Sequence, residues 1–172
     1  MSLEPNFPFT SVILTGGSSG IGKSFIEHIG RVAPGALICN LSRRQPEHNL
    51  AQLKLRHYSV DLGNTSARRE VLIRLLGDLE QMAPGGPILL INNAGFGHYG
   101  EFPAGGIDQQ LKILEVNLAA VLEVTAACLP LMTVRGGTVL NVASVTAFQP
   151  TPFIATYGAT KAFLLQWGYS LG

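Results

Sequence analysis

Apolar residues alternate along the chain between short continuous runs and longer stretches with helical spacing. The short runs are rich in Val, Ile and Leu and predict buried strands at residues 11–15, 36–41, 55–60, 88–91 and 138–142. The longer stretches predict helices at residues 21–29, 71–79, 111–122 and from about 155 to the end. Strands and helices therefore alternate, without an internal repeat or a low-complexity linker.

This alternation predicts an α/β fold with a doubly wound parallel sheet of the Rossmann type, covered by helices on both faces. The 172 residues suit a single domain, residues 1–172, and 47% hydrophobic residues can fill its core. We expect the third strand at one edge and the fourth on the far side of the first. A ligand would then bind at this change of direction, above the carboxyl ends of the strands.

Charge and cysteine content narrow the range of partners. The formal net charge is +1 and only 13% of residues are charged, which gives no electrostatic case for nucleic acid or an anionic membrane surface. No apolar run reaches the roughly 20 residues of a membrane span, and the first residues do not resemble a signal peptide. Cys39 and Cys128 lie in predicted apolar elements, so we expect buried thiols and a cytoplasmic location.

The segment Thr15-Gly-Gly-Ser-Ser-Gly-Ile-Gly22 joins the first strand to the first helix and is typical of a phosphate-binding turn. Its glycines lack the Cβ atoms that would block a ligand, so backbone N–H groups and the helix N-terminus can point at a diphosphate. The candidate binding residues in this loop are Gly16, Ser18, Ser19, Gly20, Ile21 and Gly22.

The same loop also fits the Gly-x-Ser-x-Gly turn of hydrolases, and Asp78 and His98 follow in the required order. That turn belongs in the middle of a sheet, with an oxyanion loop upstream of it. Only ten residues precede the first strand here, which disfavours a hydrolase.

The second strand is followed by a turn that indicates which nucleotide binds. A carboxylate at this place accepts a hydrogen bond from a ribose 2′-OH, but the sequence has Ser42, Arg43 and Arg44. A carboxylate would repel a 2′-phosphate, whereas a guanidinium can hold it with two hydrogen bonds. The turn therefore favours NADP(H), with NAD(H) as the alternative.

The third and fourth strands end in residues suited to the adenosine. Asp61, followed by Leu62, is placed either to accept a hydrogen bond from an adenine amino group or to cap the helix that begins near Asn64. After the fourth strand, small residues let the backbone approach the nucleotide, and the candidates are Asn93, Ala94 and Gly95.

Tyr157 and Lys161 are four residues apart on the last predicted helix and therefore share one face. An ammonium beside a phenol favours the phenolate, which makes Tyr157 a usable acid or base near neutral pH. Ser144 follows the fifth strand and can polarise a carbonyl oxygen of a ligand bound above the carboxyl ends of the strands.

Taken together, these motifs resemble the short-chain dehydrogenase/reductase family, in its compact single-domain branch, from Val12 to the last residue. The matching segments are the glycine loop, Asp61-Leu62, Asn92-Asn-Ala-Gly95, Val116-Asn-Leu118, Asn141-Val-Ala-Ser144 and Tyr157-Gly-Ala-Thr-Lys161. The resemblance implies that Tyr157 protonates the carbonyl oxygen and Ser144 holds it. It further implies that Lys161 binds the nicotinamide ribose and tunes Tyr157, while Asn117 holds a water that leads to Lys161.

Members of this family continue through a sixth and a seventh strand and a loop that covers the substrate, whereas this sequence ends at Gly172. We therefore expect these residues to represent part of a longer enzyme that interconverts a carbonyl and an alcohol. The alternative is a non-catalytic nucleotide-binding or scaffold protein.

The remaining expectations concern substrate and partners. Phe and Tyr residues in segments 96–102 and 145–153 suggest an apolar ketone or acyl substrate. The resemblance implies that the helix through Asn117 and the last helix, both rich in alanine, form the interface of a homodimer or homotetramer. The sequence predicts no metal site.

Overall fold

The computed structural model describes residues 7–48, 52–82 and 85–171. Five parallel strands form one sheet: β1 (Ser11–Thr15), β2 (Leu37–Ser42), β3 (Lys54–Ser59), β4 (Ile88–Asn92) and β5 (Gly137–Asn141). Their order in space is β3-β2-β1-β4-β5. The predicted fold class and the change of direction between β1 and β4 are confirmed, and the strand bounds differ from the predicted ones by about one residue.

Helices follow the strands in the expected alternation: α1 (Gly20–Val32), α2 (Thr65–Met82), α3 (Ile107–Leu114), α4 (Ala120–Arg135) and α5 (Ala155–Ser170). A π-helical turn, Glu115–Ala119, joins α3 to α4, so the two run as one continuous helix. The sequence predicted one regular helix here and did not foresee the π-helical turn. A short 3₁₀ turn, Val145–Ala147, lies between β5 and α5.

The core lies on both faces of the sheet, because every residue of β1 is buried and neighbouring side chains alternate in direction. On one face, Val12 and Leu14 pack with Ile26 of α1. On the other face, Ile13 packs in a cluster with Val124 of α4. This two-sided burial explains why the strands appear in the sequence as continuous apolar runs.

The continuous helix Ile107–Arg135 is long and apolar enough to cross a membrane by length and composition alone, with a mean hydropathy of 1.6 over its best window. From the sequence we expect no apolar run of membrane-spanning length, and this helix differs from that expectation by length and composition. The core helix of a globular α/β domain passes the same test, and this helix buries Val121, Val124 and Cys128 in the fold.

Cys39 and Cys128 are both free and buried, as predicted. Burial raises the pKa of each thiol to about 12, so both stay protonated at neutral pH. Neither thiol therefore has the character of a nucleophile.

Candidate active site

The glycine loop between β1 and α1 is packed closely on itself. Gly16 has φ +74°, and a Cβ on Gly22 would lie only 2.2 Å from the carbonyl oxygen of Gly16. Gly20, with φ +54°, faces open space instead. Ser19 precedes α1 without making a side-chain capping bond, so the first N–H groups of the helix keep their capacity to bind an anion.

Thr15 and Asn93 hold this loop against the end of β4. The hydroxyl oxygen of Thr15 accepts hydrogen bonds from the backbone N–H groups of Asn93 and Ala94, both at 3.0 Å. The side-chain amide of Asn93 donates to the carbonyl oxygens of Thr15 and Gly16, at 2.9 and 3.2 Å. Asn93 was predicted as a cofactor residue, and its amide hydrogens are engaged in fixing the shape of the loop.

In the turn after β2, the backbone is fixed and two guanidinium groups are exposed. The hydroxyl of buried Ser42 donates to the carbonyl oxygen of Arg44 at 2.7 Å, so Ser42 shapes the turn rather than offering its hydrogen to a ligand. Ser59 donates to the carbonyl oxygen of Arg43 at 3.3 Å. Within the described ranges, neither guanidinium has an ion-pair or hydrogen-bond partner.

Asp61 and Asn64 make different backbone contacts just before α2. An oxygen of Asp61 accepts from the backbone N–H of Gly63 at 3.0 Å, and Asn64 accepts from the N–H of Ala67 at 3.0 Å. Asn64 therefore caps α2. The capping role considered for Asp61 is wrong, and Asp61 stays exposed beside the predicted nucleotide site.

Arg68, which the sequence analysis missed, is a buried cation with side-chain exposure of only 1%. It donates to the carbonyl oxygen of Leu62 and forms ion pairs with Glu115 at 3.0 Å and with Glu123 at 2.8 Å. Hydrogen bonds from Arg68 and Arg69 lower the pKa of Glu123. Arg68 thereby joins the segment after β3 to the helix that carries Asn117.

Tyr157 and Lys161 lie one turn apart on α5. Lys161 is buried, its ammonium donates to the carbonyl oxygen of Val142 at 2.6 Å, and Nζ lies 5.7 Å from the centre of the Tyr157 ring. Burial lowers the pKa of Lys161. Gly97 gives the tyrosine its space, because a Cβ there would lie 2.8 Å from the ring.

Ser144 stands at the start of the 3₁₀ turn that follows β5. Its Oγ accepts from the backbone N–H of Thr146 at 3.2 Å, which leaves the hydroxyl hydrogen able to donate elsewhere. The turn packs against α5 beside Tyr157, where a Cβ on Gly158 would lie 3.8 Å from Thr146.

Asn117 lies in the π-helical turn and is fully buried. Its side chain bonds to the backbone of Phe96 and to the hydroxyl of Thr160. These hydrogen bonds connect Asn117 to protein groups, and its side chain is in a position to hold neighbouring segments together.

Every residue predicted to bind the cofactor lines one cavity of about 1170 Å³, and this set includes Arg43, Asp61, Tyr157 and Lys161. Ser144 and Asn117 lie outside this lining. The cavity is also lined by residues that the sequence analysis did not single out, among them Thr65, Gln109, Lys112 and Val116. Gln109, Lys112 and Val116 recur at helical spacing along α3 and the π-helical turn. This pattern is difficult to recognise in the sequence because apolar residues of the same helix lie between them.

The residues of the hydrolase alternative are not brought together. Asp78 accepts from the hydroxyl of Tyr58 at 2.8 Å and pairs with Arg56 at 3.0 Å. His98 lines a separate cavity of about 270 Å³, whereas Ser18 lines the large one. Ser18, His98 and Asp78 therefore do not form a Ser-His-Asp arrangement.

A doubly wound sheet with a glycine loop at its change of direction defines the class of dinucleotide-binding α/β proteins. Within that class, the chain belongs to the short-chain dehydrogenase family, whose model matches residues 10–172.

Individual relatives agree with this assignment. A very-long-chain 3-oxoacyl-CoA reductase of Phaeosphaeria nodorum is 33% identical over 171 residues, covering 95% of this chain and 50% of that protein. A short-chain dehydrogenase from Sphingobium yanoikuyae in complex with NADPH has a TM-score of 0.78 at 28% identity, covering 95% of this chain and 65% of that one. The Leptospira borgpetersenii short-chain dehydrogenase with bound NAD+ shares the fold, with a TM-score of 0.82 at 20% identity, covering 99% of this chain and 67% of that one. The chain spans about half the length of the curated relatives that it matches.

Proposed function

We propose that this chain carries the catalytic and nucleotide-binding part of an NADP(H)-dependent oxidoreductase that interconverts a carbonyl and an alcohol. One observation carries the proposal: Tyr157 and Lys161 line the same cavity as the glycine loop and Arg43. An acid or base beside a buried ammonium thus shares one space with a phosphate-binding turn.

The cavity suits a dinucleotide. The exposed amino end of α1 and the open space at Gly20 fit a diphosphate. Elsewhere in the cavity, Gly95 lies close to Lys161, since a Cβ on Gly95 would be 3.5 Å from the Lys161 ammonium. Two exposed guanidinium groups, Arg43 and Arg44, favour a 2′-phosphate over a bare ribose hydroxyl. NAD(H) is the alternative, since known members of the fold are seen with either nucleotide.

When bound, the nicotinamide supplies or takes up the hydride at the carbonyl carbon. In the reducing direction, Tyr157 gives its phenolic proton to the carbonyl oxygen, so the product is the alcohol. The Ser144 hydroxyl, whose oxygen already accepts from Thr146, donates to the same carbonyl oxygen as negative charge develops there. Lys161, anchored on Val142, places its ammonium 5.7 Å from the centre of the Tyr157 ring.

Exposed aromatic side chains in the loops that follow β4 and β5 favour an apolar substrate. Tyr99, Phe102, Phe148 and Phe153 are all exposed, and the rings of Tyr99 and Phe153 are 5.6 Å apart. The family relatives named as 3-oxoacyl-CoA reductases agree with an acyl ketone. We propose a ketone with an extended apolar part as the substrate class.

The experiment is to compare the full-length enzyme that contains these residues with its Tyr157→Phe and Ser144→Ala variants. NADPH titration measures binding, and NADPH consumption with apolar ketones and 3-oxoacyl thioesters measures turnover. Tyr157→Phe should bind NADPH normally but reduce the carbonyl at least about 100-fold more slowly. Ser144→Ala should mainly lower kcat. Tyr169→Phe, an exposed tyrosine near the end of α5, is the matched control.

An undiminished rate in Tyr157→Phe would show that the tyrosine is not the acid. NADPH binding without turnover of the tested ketones by the full-length wild-type protein would favour the non-catalytic scaffold.

We further propose a cytoplasmic homodimer or homotetramer that uses α4 and α5. Both helices expose alanines, Ala126 and Ala159, which permit close helix packing. Light scattering of the full-length protein should give a multiple of the protomer mass, and Ala126→Glu should lower it toward the monomer. Ile73→Glu, an exposed position on α2, should leave the mass unchanged.

A further inference from the structure

Asn40 is a fully buried amide near the end of β2, a strand whose other central residues are apolar. Its side chain has three partners on three segments. Oδ1 accepts from the backbone N–H of Gly17 at 2.8 Å, and Nδ2 donates to Oγ of Ser42 at 2.8 Å. Nδ2 also lies 3.1 Å from Nδ1 of His57 on β3.

The first contact fixes the glycine loop from below. Gly17 is the loop residue that does not line the large cavity, whereas Gly16, Ser18 and Ser19 do. A Cβ on Gly17 would lie 2.4 Å from Oδ1 of Asn40, so the loop backbone rests directly on this amide. Because the Gly17 N–H points to Asn40, the backbone on either side of it is held toward the cavity.

The second contact fixes the turn that presents the guanidinium groups. Ser42 receives a hydrogen from Asn40 and therefore directs its own hydrogen to the carbonyl oxygen of Arg44. This relay determines the backbone course of Ser42, Arg43 and Arg44. Without the hydrogen from Asn40, the Ser42 hydroxyl could turn, and the turn would lose its fixed position relative to the cavity.

We propose that Asn40 is a positioning residue that couples the diphosphate loop to the turn that selects for a 2′-phosphate. One buried amide then sets the distance between the two parts of the nucleotide site, and the preference for NADPH over NADH depends on it through Ser42. This inference rests on the proposed use of NADP(H).

The test uses Asn40→Ala, Ser42→Ala and the double variant, each titrated with NADPH and with NADH. The ratio of the two dissociation constants removes effects that both nucleotides share. Each single variant should reduce the preference for NADPH about two- to tenfold, the worth of a hydrogen bond. The double variant should reduce it no further, because both changes break one relay.

Asn92→Ala is the matched control. Asn92 is also a buried amide at a strand end, and it donates to Thr125 at 3.0 Å and Asn141 at 2.9 Å, outside the cavity lining. It should lower the stability of the fold but leave the NADPH to NADH ratio unchanged. An equal change of ratio in Asn92→Ala would show a general structural effect and overturn the proposal.

A second readout needs no nucleotide. Hydrogen exchange of the Gly17 amide should be at least about tenfold faster in Asn40→Ala than in wild type, and unchanged in Ser42→Ala. If Asn40→Ala does not fold, Asn40→Asp takes its place. It keeps an acceptor for Gly17 but cannot donate to Ser42, so the Gly17 amide should stay protected while the preference for NADPH falls.

The two hypotheses can fail separately. Wild-type chain that binds NADH as tightly as NADPH would contradict the proposed nucleotide preference, and Gly17 exchange would still test the role of Asn40. An unchanged ratio in Asn40→Ala, a double variant whose effect is the sum of the singles, or unaltered Gly17 exchange would overturn the coupling.

Discussion

Asn117 and Phe96 are joined by two hydrogen bonds that run in opposite directions. Oδ1 of Asn117 accepts from the backbone N–H of Phe96 at 3.1 Å, and Nδ2 donates to the Phe96 carbonyl oxygen at 3.0 Å. Nδ2 also donates to Thr160 on α5 at 3.0 Å. The π-helical turn, the loop after β4 and the helix that carries Tyr157 therefore meet at one buried amide.

Replacing Asn117 with Ala should lower the free energy of unfolding by about 2–4 kcal/mol, because three hydrogen bonds are lost and the backbone groups of Phe96 lose their partner. Urea denaturation measures this change, and exchange of the Phe96 amide should accelerate. Asn64→Ala, which removes an exposed helix cap, should cost only about 1 kcal/mol. A cost in Asn117→Ala no larger than this would contradict the joining role.

Arg43→Ala should weaken NADPH binding by about 1.5–3 kcal/mol while leaving NADH binding almost unchanged, since only the 2′-phosphate would lose a charged partner. Fluorescence titration with both nucleotides measures the difference. Arg31→Ala is the control, because Arg31 lies in the last turn of α1 outside the cavity. Equal affinity of the wild-type chain for both nucleotides would refute the assignment.

Lys161→Met should separate stability from function. Burial lowers the pKa of Lys161, so the folded state holds the charge less readily than the unfolded chain does. Met removes this cost at similar volume, and we expect an unchanged or higher free energy of unfolding. NADPH affinity and carbonyl reduction should both fall at least about tenfold. Lys54→Met, at an exposed position of the edge strand β3, should change neither the NADPH affinity nor the rate of carbonyl reduction.

Stability should fall in acid partly through Glu123. Hydrogen bonds from Arg68 and Arg69 lower the pKa of Glu123 below 4.5, so its contribution is complete above that pH and is lost as the pH falls through the folded-state value. Glu123→Gln should cost about 1.5–3 kcal/mol at pH 7. The difference from wild type should narrow below pH 4.5 in urea denaturation.

Glu70→Gln is the control for that measurement. Glu70 directly follows Arg69 and is exposed, but it has no ion pair among the described residues. It should leave the free energy of unfolding at pH 7 almost unchanged. A wild-type to Glu123→Gln difference that stays constant down to pH 3 would contradict the role of the Arg68 ion pair.

Much of the fold and the cavity lining followed from local patterns. The glycine loop, the turn at Arg43 and the Tyr157 to Lys161 spacing each lie within a few residues, and the order of strands follows from alternating elements. Residues this close in sequence have a relative geometry that is fixed by the strand, turn or helix in which they lie. The predicted binding residues therefore line one cavity.

The contacts that hold the site together could not be read in this way. Arg68 and Glu123 are 55 positions apart, and Asn40 and Gly17 are 23 apart. Their partners depend on how strands and helices pack, which the sequence alone does not state. The π-helical turn was hidden for a different reason, since its one wider turn leaves the apolar spacing of the surrounding helix almost intact.

The buried Arg68 also constrains how this sequence can change over generations. Losing both carboxylates would leave a cation with 1% side-chain exposure uncompensated in the interior. A neutral residue at position 68 would in turn leave Glu115 and Glu123 crowded together. We therefore expect positions 68, 115 and 123 to change together in evolution. Relatives without the arginine should also lack the acidic residues at 115 and 123.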